Sequence, residues 1–285
     1  MEPELIADYE CLTGEGPLWH PMEKRLYWLD IPRGRIFRYD PASGTHEICY
    51  EGEPVGGMTV QADGALLLFM DRGAIAIWRD GELSYVVKGI PGEEEARFND
   101  AIADPAGRVF CGTMCQGRAG TLYRLDVDGS ITAVVQGVGL SNGMGFTPDR
   151  KGMYHTDSRA RRIYRFDYDE ETGVLSDRRV FVETPAGEGI PDGMTVDLDG
   201  YVWSARWDGA CLVRYTPQGI EERRIPFPAQ KVSSVTFGGE NLSDIYVTTG
   251  GGHNKVDEGP GAGALFRLRI GGIQGVPEFL SRTGL

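Results

Sequence analysis

Short runs of alternating apolar and polar residues recur along the chain, separated by turn residues, and one of these runs repeats with an arginine near its end. It reads RIFRYDP (35–41), AIAIWRD (74–80), TLYRLDV (121–127), RIYRFDY (162–168), CLVRYTP (211–217) and ALFRLRI (264–270). Alternation with a period of two predicts strands with one buried face. An aromatic and β-branched segment precedes each copy: RLYWLD (25–30), ALLLFM (65–70), RVFCGT (108–113), GMYHTD (152–157), YVWSAR (201–206) and DIYVTT (244–249). A small-residue step into a further strand comes before that: EGPLWH (15–20), GGMTVQ (56–61), NDAIAD (99–104), NGMGFT (142–147), DGMTVD (192–197) and SSVTFG (233–238). A fourth strand follows most copies, as in EICYEG (47–52) and RVFVET (179–184).

The units start at 15, 56, 99, 142, 192 and 233, and the longest interval contains the extended turn DEETGVLSD (169–177). A four-stranded unit repeating every 40–50 residues is the mark of a propeller. The chain is therefore predicted to be all-β, a six-bladed β-propeller with four-stranded blades around a central channel, forming one domain over 1–285. Either ELIADY (4–9) or VPEFL (276–280) must supply the outer strand that closes the last blade.

Composition narrows the function. The 41 Gly and 16 Pro are spread evenly, as frequent turns require. No apolar run approaches the roughly 18–20 residues of a membrane-spanning helix, so no membrane association is expected. MEPELIADYE lacks the basic and apolar regions of a secretory signal, which makes a cytoplasmic location the expectation. Five cysteines lie scattered with no CxxC pair, arguing against disulfides and against a thiolate zinc site. The net charge of −13 repels a phosphate backbone, so nucleic acid is excluded as a partner, and a monomer or small homo-oligomer is expected.

In a propeller the first strand of each blade lines the axis. Aligning the six units puts Glu15, Gly56, Asn99, Asn142, Asp192 and Ser233 on one ring at a channel mouth. Asn and Asp are common at strand starts for turn reasons alone, but four carboxylates or carboxamides converging on a small ring point to a cation. Two carboxylates close together at an enclosed axis repel each other unless a cation lies between them. Oxygen donors of this kind suit Ca²⁺, Mg²⁺ or Mn²⁺. The connections from second to third strands share that mouth and carry Arg33, Arg72, Arg118, Arg159, Arg206, Trp207 and His253, a wall suited to a polyhydroxylated ligand. The Gly-rich stretch 249–263 reads as a mobile lid. Arg97 and Asn99, two apart on one strand face, are directed at a ligand on the metal, unless Arg97 merely answers Glu93 to Glu95 at the surface. DVDG (126–129) and DLDG (197–200) lack EF-hand spacing and read as turns. His155 reads equally as a packed strand residue or a functional one.

The stretches GEGPLW (14–19), RFNDAIADPAGRVFCGTM (97–114), LSNGMGFTPDRKGMYHTDS (140–158) and PDGMTVDLDGYVWSARWDG (191–209) resemble the family of senescence marker protein 30 (regucalcin), gluconolactonases and luciferin-regenerating enzymes. The resemblance implies that Glu15, Asn142 and Asp192 ligate one divalent metal ion (Ca, Zn, Mn, Mg or Fe). It also implies that Arg97 and Asn99 contact the ligand, with Arg118 and Trp207 as further substrate-binding candidates. Animal members carry an acidic residue shortly after GTM, whereas this chain continues Cys115, Gln116, Gly117, Arg118. That short loop looks more like bacterial aldonolactonases, xylonolactonases included. The reaction implied is metal-assisted hydrolysis of a small sugar lactone, a gluconolactone or xylonolactone, with Asp192 as catalytic base. The alternatives are hydrolysis of another ester or a phosphotriester at the same metal, or a non-catalytic calcium-binding propeller.

Overall fold

The computed structural model describes residues 2–284. Among them six separate four-stranded antiparallel sheets follow one another along the chain, five with their strands in sequence order from the axis outward and the last taking its outermost strand from the N-terminal segment. The inner strands are Gly14–His20, Val55–Val60, Arg97–Ala103, Ser141–Phe146, Ile190–Val196 and Val232–Gly238. Each of the six units read from the repeat is one blade of the propeller. Of the two candidates for closing the last blade, the N-terminal segment does so: Glu4–Asp8 pairs antiparallel with Ala264–Arg269. VPEFL forms no strand. Residues 274–284 instead cross the far mouth of the channel, hydrogen-bonding to Leu198 and Leu242 at one side and to Val60 and Gly107 at the other.

The hydrophobic effect acts here at the seams between blades. Six buried clusters each join the facing sides of two neighbours, such as Phe110 and Leu122 against Met144, Phe146 and Met153, or Tyr154 and Ile163 against Met194, Val196 and Val202. Apolar residues on both faces of each middle strand explain why RLYWLD and DIYVTT read as almost continuous apolar runs. Turns are fixed by buried carboxylates. Asp197 of DLDG accepts from the backbone N–H of Asp199 and Tyr201 and from Trp203 Nε1, and is clamped by Arg214 at 2.7 Å, so this turn is structural.

Every inner strand carries a pairing irregularity at the same level: between Glu15 and Leu18, Val55 and Gly57, Phe98 and Ala101, Asn142 and Met144, Pro191 and Met194, and Val232 and Ser234. A bulge bends the strand and re-aims a side chain. Six of them in register turn the ring residues toward the axis. The backbones crowd there: a Cβ on Gly56 would lie 1.9 Å from the Phe98 carbonyl oxygen, so blade 2 contributes no side chain to the ring.

Below the ring a cavity of about 430 Å³ fills the channel, lined largely by apolar side chains such as Met58, Met144, Val196 and Val235 and floored by Pro277 and Phe279 of the C-terminal segment. With that floor in place, a ligand reaches the ring from the opposite mouth. No helix among the described residues is long and apolar enough to cross a membrane.

Candidate metal centre and sugar-binding rim

Glu15, Asn99, Asn142 and Asp192 are all buried, at 3–6% exposure, although each carries a polar head at the channel mouth. Burial pushes the Glu15 carboxyl well above the ordinary range, and the charges of Asp192 and Asp100 add to the shift. Asp192 is raised in the same way, by burial first and Asp100 second, with Arg97 and Arg206 opposing. These carboxylates lie within electrostatic reach of one another without enough positive charge to neutralise them. A divalent cation among them would remove that penalty.

A hydrogen-bond chain sets the carboxamides. Arg97 Nη1 donates to Asn99 Oδ1 at 2.7 Å, and Asn99 Nδ2 donates to Asn142 Oδ1 at 2.7 Å and to the Ser141 carbonyl at 2.8 Å. Asn142 Nδ2 donates to Ser158 Oγ at 2.8 Å, and Ser158 Oγ donates to the Pro191 carbonyl at 2.7 Å, beside Asp192. Because Ser158 takes the donor end of Asn142, its carbonyl oxygen is held near Asn99 with one lone pair still free. Among the described residues no three His, Cys, Asp or Glu side chains gather as a metal cluster. The donor set assembled here is two carboxylates with carboxamide oxygen, the hard-oxygen chemistry of Ca²⁺, Mg²⁺ and Mn²⁺. The residues present fit such an ion.

The candidate rim residues are distributed more widely. Arg97 is half-buried and faces the charges of Glu15, Asp71, Asp100 and Asp192, so its partners are not Glu93 to Glu95. Arg118 pairs with Glu93 instead, at 2.6 Å, and its other contacts are backbone carbonyls of Gly92 and Ala119. Trp207 lies against Gly250 with Lys231 Nζ 5.5 Å from its ring centroid, and Gly250 bridges to Thr13 beside the Glu15 strand. Trp207 and the 249–263 segment thus border the Glu15 side of the mouth.

Parts of the expected arginine wall are engaged elsewhere. Arg33 pairs with Asp30 at 3.2 Å, and Arg206 is fully buried, donating to Ser204 Oγ and to the Tyr215 hydroxyl. In an acidic chain with hydroxyl-rich strands, these two guanidinium groups find nearer acceptors than the mouth. The 249–263 segment is not a loose lid. It contains short helical turns at Gly252–Asn254 and Lys255–Glu258, its backbone bonds to Cys11, Leu12 and Gln230, and Lys255 reaches Asp8 at 2.5 Å. His155 is a packed residue: buried, bonded through Nε2 to Ser141 Oγ at 2.8 Å, and with its pKa pushed down to about 4 by desolvation. Cys11, Cys111, Cys115 and Cys211 are buried and Cys49 half-buried, all as free thiols.

Asp100 and Ser158 were not singled out from the chain. Asp100 stands where four other blades have Gly16, Gly57, Gly143 and Gly193, directly after the ring residue. It lines the channel, and burial pushes its carboxyl up despite Arg97. That departure from the repeat was the available signal. Nothing in the spacing marked Ser158, which comes from the second-to-third connection of blade 4.

The likeness to known proteins extends over nearly the whole chain. Residues 13–251 match the model of the SMP-30/gluconolactonase/LRE-like region. This chain belongs to that family. It is 51% identical over 288 residues to the pentonolactonase XacC of Haloferax volcanii, covering 98% of each chain. It is 32% identical to the regucalcin of Gallus gallus over 97% of each. Among solved structures a luciferin-regenerating enzyme superposes with a TM-score of 0.89 at 27% identity, covering 98% of this chain and 99% of the other.

Proposed function

We propose that this protein is a sugar lactonase that opens small aldonolactones, five-carbon ones foremost, at a divalent cation held by Glu15, Asn142 and Asp192. The observation that carries the reading is the pair of desolvated carboxylates, Glu15 and Asp192, beside a carboxamide oriented by Ser158. The pentonolactonase relative supports the choice of substrate class. The oxygen-only donors favour Ca²⁺, Mg²⁺ or Mn²⁺ over thiophilic metals.

When bound, the ion would supply Lewis-acid polarisation of the lactone carbonyl and acidify water at the site. The protein's own groups do the rest. Asp192, held at the mouth and ionised once a cation offsets its burial, accepts the proton of the attacking water at a carboxylate oxygen. Arg97 orients the ring through its fixed fork of donors, and Asn99 relays that alignment to Asn142. Trp207 offers an apolar wall to a ring face on the Glu15 side, while Arg118, tied to Glu93, presents its charge at the outer edge. The C-terminal floor excludes bulk water from below.

The test is a panel of pentono- and hexonolactones, simple esters and a phosphotriester, each offered with Ca²⁺, Mg²⁺, Mn²⁺ and Zn²⁺. Aldonolactones should be opened with the highest kcat/KM. Preference for the phosphotriester, or tight metal binding with turnover of nothing, would replace this reading with one of the alternatives above.

A further inference from the structure

The mouth holds a second carboxylate-bearing feature that the metal centre does not use. A cleft of about 390 Å³ opens beside the ring, lined by Asp71, Arg72, Glu94, Glu95, Arg97 and Gln116 among others. Asp71 directly follows the second strand of blade 2, Leu66–Met70, and forms an isolated antiparallel bridge with Arg97 of blade 3. Residues opposed in such a bridge project to the same side. Both line this cleft.

The backbone there is rigid. Arg72 and Gly73 take positive φ, 58° and 68°, in a two-residue hairpin turn closed by Ala74 N–H to the Asp71 carbonyl at 3.0 Å. The Arg72 N–H is tied to the Ala96 carbonyl of the next blade at 2.7 Å. Asp71 is thus fixed relative to Arg97. Its carboxylate accepts no hydrogen bond and joins no ion pair among the described residues, unlike Asp30, Asp104, Asp157 and Asp197, which are all satisfied. Partial burial raises the Asp71 carboxyl, with Arg97 and Arg72 opposing. Because blade 2 has Gly56 at the ring, it places no ring side chain between the axis and this cleft.

We infer that Asp71 is a specificity-determining residue, its carboxylate accepting hydrogen bonds from ring hydroxyls of a lactone whose carbonyl lies at the metal centre. The inference rests on the lactonase reading and deepens it. A carboxylate opposite a guanidinium, both aimed into one cleft, suits a vicinal diol: hydroxyl hydrogens go to Asp71 and hydroxyl oxygens accept from Arg97. Glu94 and Glu95 also line the cleft, but both are exposed and Glu94 already accepts from the Gly92 N–H, whereas Asp71 is half-buried and unpartnered opposite Arg97.

The test uses the full metal-loaded chain and Asp71→Ala, with Asp71→Asn as the conservative variant. Kinetics are measured on xylono-1,4-lactone and on γ-butyrolactone, the same ring without hydroxyls. Calorimetric titration with 1,4-anhydroxylitol, a ring ether that keeps the hydroxyls and cannot be hydrolysed, gives a readout independent of turnover. Asp71→Ala should raise KM for the hydroxylated lactone about 10- to 100-fold with kcat nearly unchanged. It should weaken the ether by a similar factor, spare γ-butyrolactone, and be partly rescued in Asp71→Asn. Unchanged KM and ether affinity, or equal losses on both lactones, would overturn the inference. If the wild type opens no lactone yet binds the ether through Asp71, the cleft stands and the lactonase reading fails. Binding of neither removes both. Where the ether binds too weakly to titrate, the KM ratio decides.

Discussion

Ser158→Ala tests the orienting chain without touching a proposed ligand. Ser158 is 3% exposed, and its hydroxyl both receives the Asn142 N–H at 2.8 Å and donates to the Pro191 carbonyl at 2.7 Å. Removing it leaves two buried polar groups unpaired, each costing about 1–3 kcal/mol, so the variant should lose roughly 2–6 kcal/mol of stability. The larger consequence is at Asn142, whose carboxamide loses the contact that fixes which end faces Asn99. Loss of such an outer partner typically weakens a metal site about 10- to 100-fold. The assay is calorimetric titration of Ca²⁺ and Mn²⁺ into chelator-stripped wild type, Ser158→Ala and Ser158→Thr, with urea unfolding of each in parallel. Ser158→Thr keeps the hydroxyl and should retain most of the affinity. If Ser158→Ala loses stability but binds both metals within twofold of wild type, Ser158 only packs and the orienting argument is wrong.

Asp192→Asn removes one of the two ligand charges and the proposed base, so metal binding should weaken; at saturating metal, turnover should still be about 10²–10⁴-fold low, measured by pH-stat, and recovery to wild-type rates would leave Asp192 a ligand only. In the metal-free protein, Glu15, Asp192 and Asp100 all have raised carboxyls, Asp100 up to about 7. Below pH about 4 these groups are neutral in the folded and the unfolded chain alike, and above it the unfolded chain ionises first, so the melting temperature in chelator should fall as pH rises from about 4 toward 7, and added Ca²⁺ should reverse that slope; a flat or rising profile in chelator would contradict it. Phe279→Ala opens the channel floor, where the half-buried ring packs 5.9 Å from Phe146. It should cost about 2–3 kcal/mol in urea unfolding, less than a fully buried Phe, with KM unchanged because the floor is remote from the mouth.

The repeat made the propeller legible because each blade buries both faces of its middle strands, so the same strand, turn and arginine pattern had to recur six times. The same alignment brought Glu15, Asn99, Asn142 and Asp192 to one level, since register along an inner strand is also register around the axis. Sequence spacing could not reveal contacts made between blades. Ser158 contacts the next blade through its hydroxyl and Asp71 through a backbone bridge, and their partners Pro191 and Arg97 lie 33 and 26 residues away. Arg206 misled for a related reason: its position on a connection suggested the mouth, whereas Ser204 and Tyr215 within its own blade draw the guanidinium inward. The Gly-rich 249–263 segment has a composition typical of a mobile loop, yet several of its glycines are there for close approach, as where a Cβ on Gly252 would lie 2.3 Å from the Glu10 carbonyl carbon.

Dependence of lactone opening on a bound divalent ion tests the central claim most directly. The full chain is stripped with chelator, its metal content is checked by elemental analysis, and xylono-1,4-lactone opening is followed by pH-stat with the uncatalysed rate subtracted. The expected result is a fall to the uncatalysed rate in stripped protein and recovery on adding Ca²⁺, Mg²⁺ or Mn²⁺, with the midpoint moved to higher metal in Glu15→Gln. Undiminished turnover in protein shown to be metal-free would contradict the account.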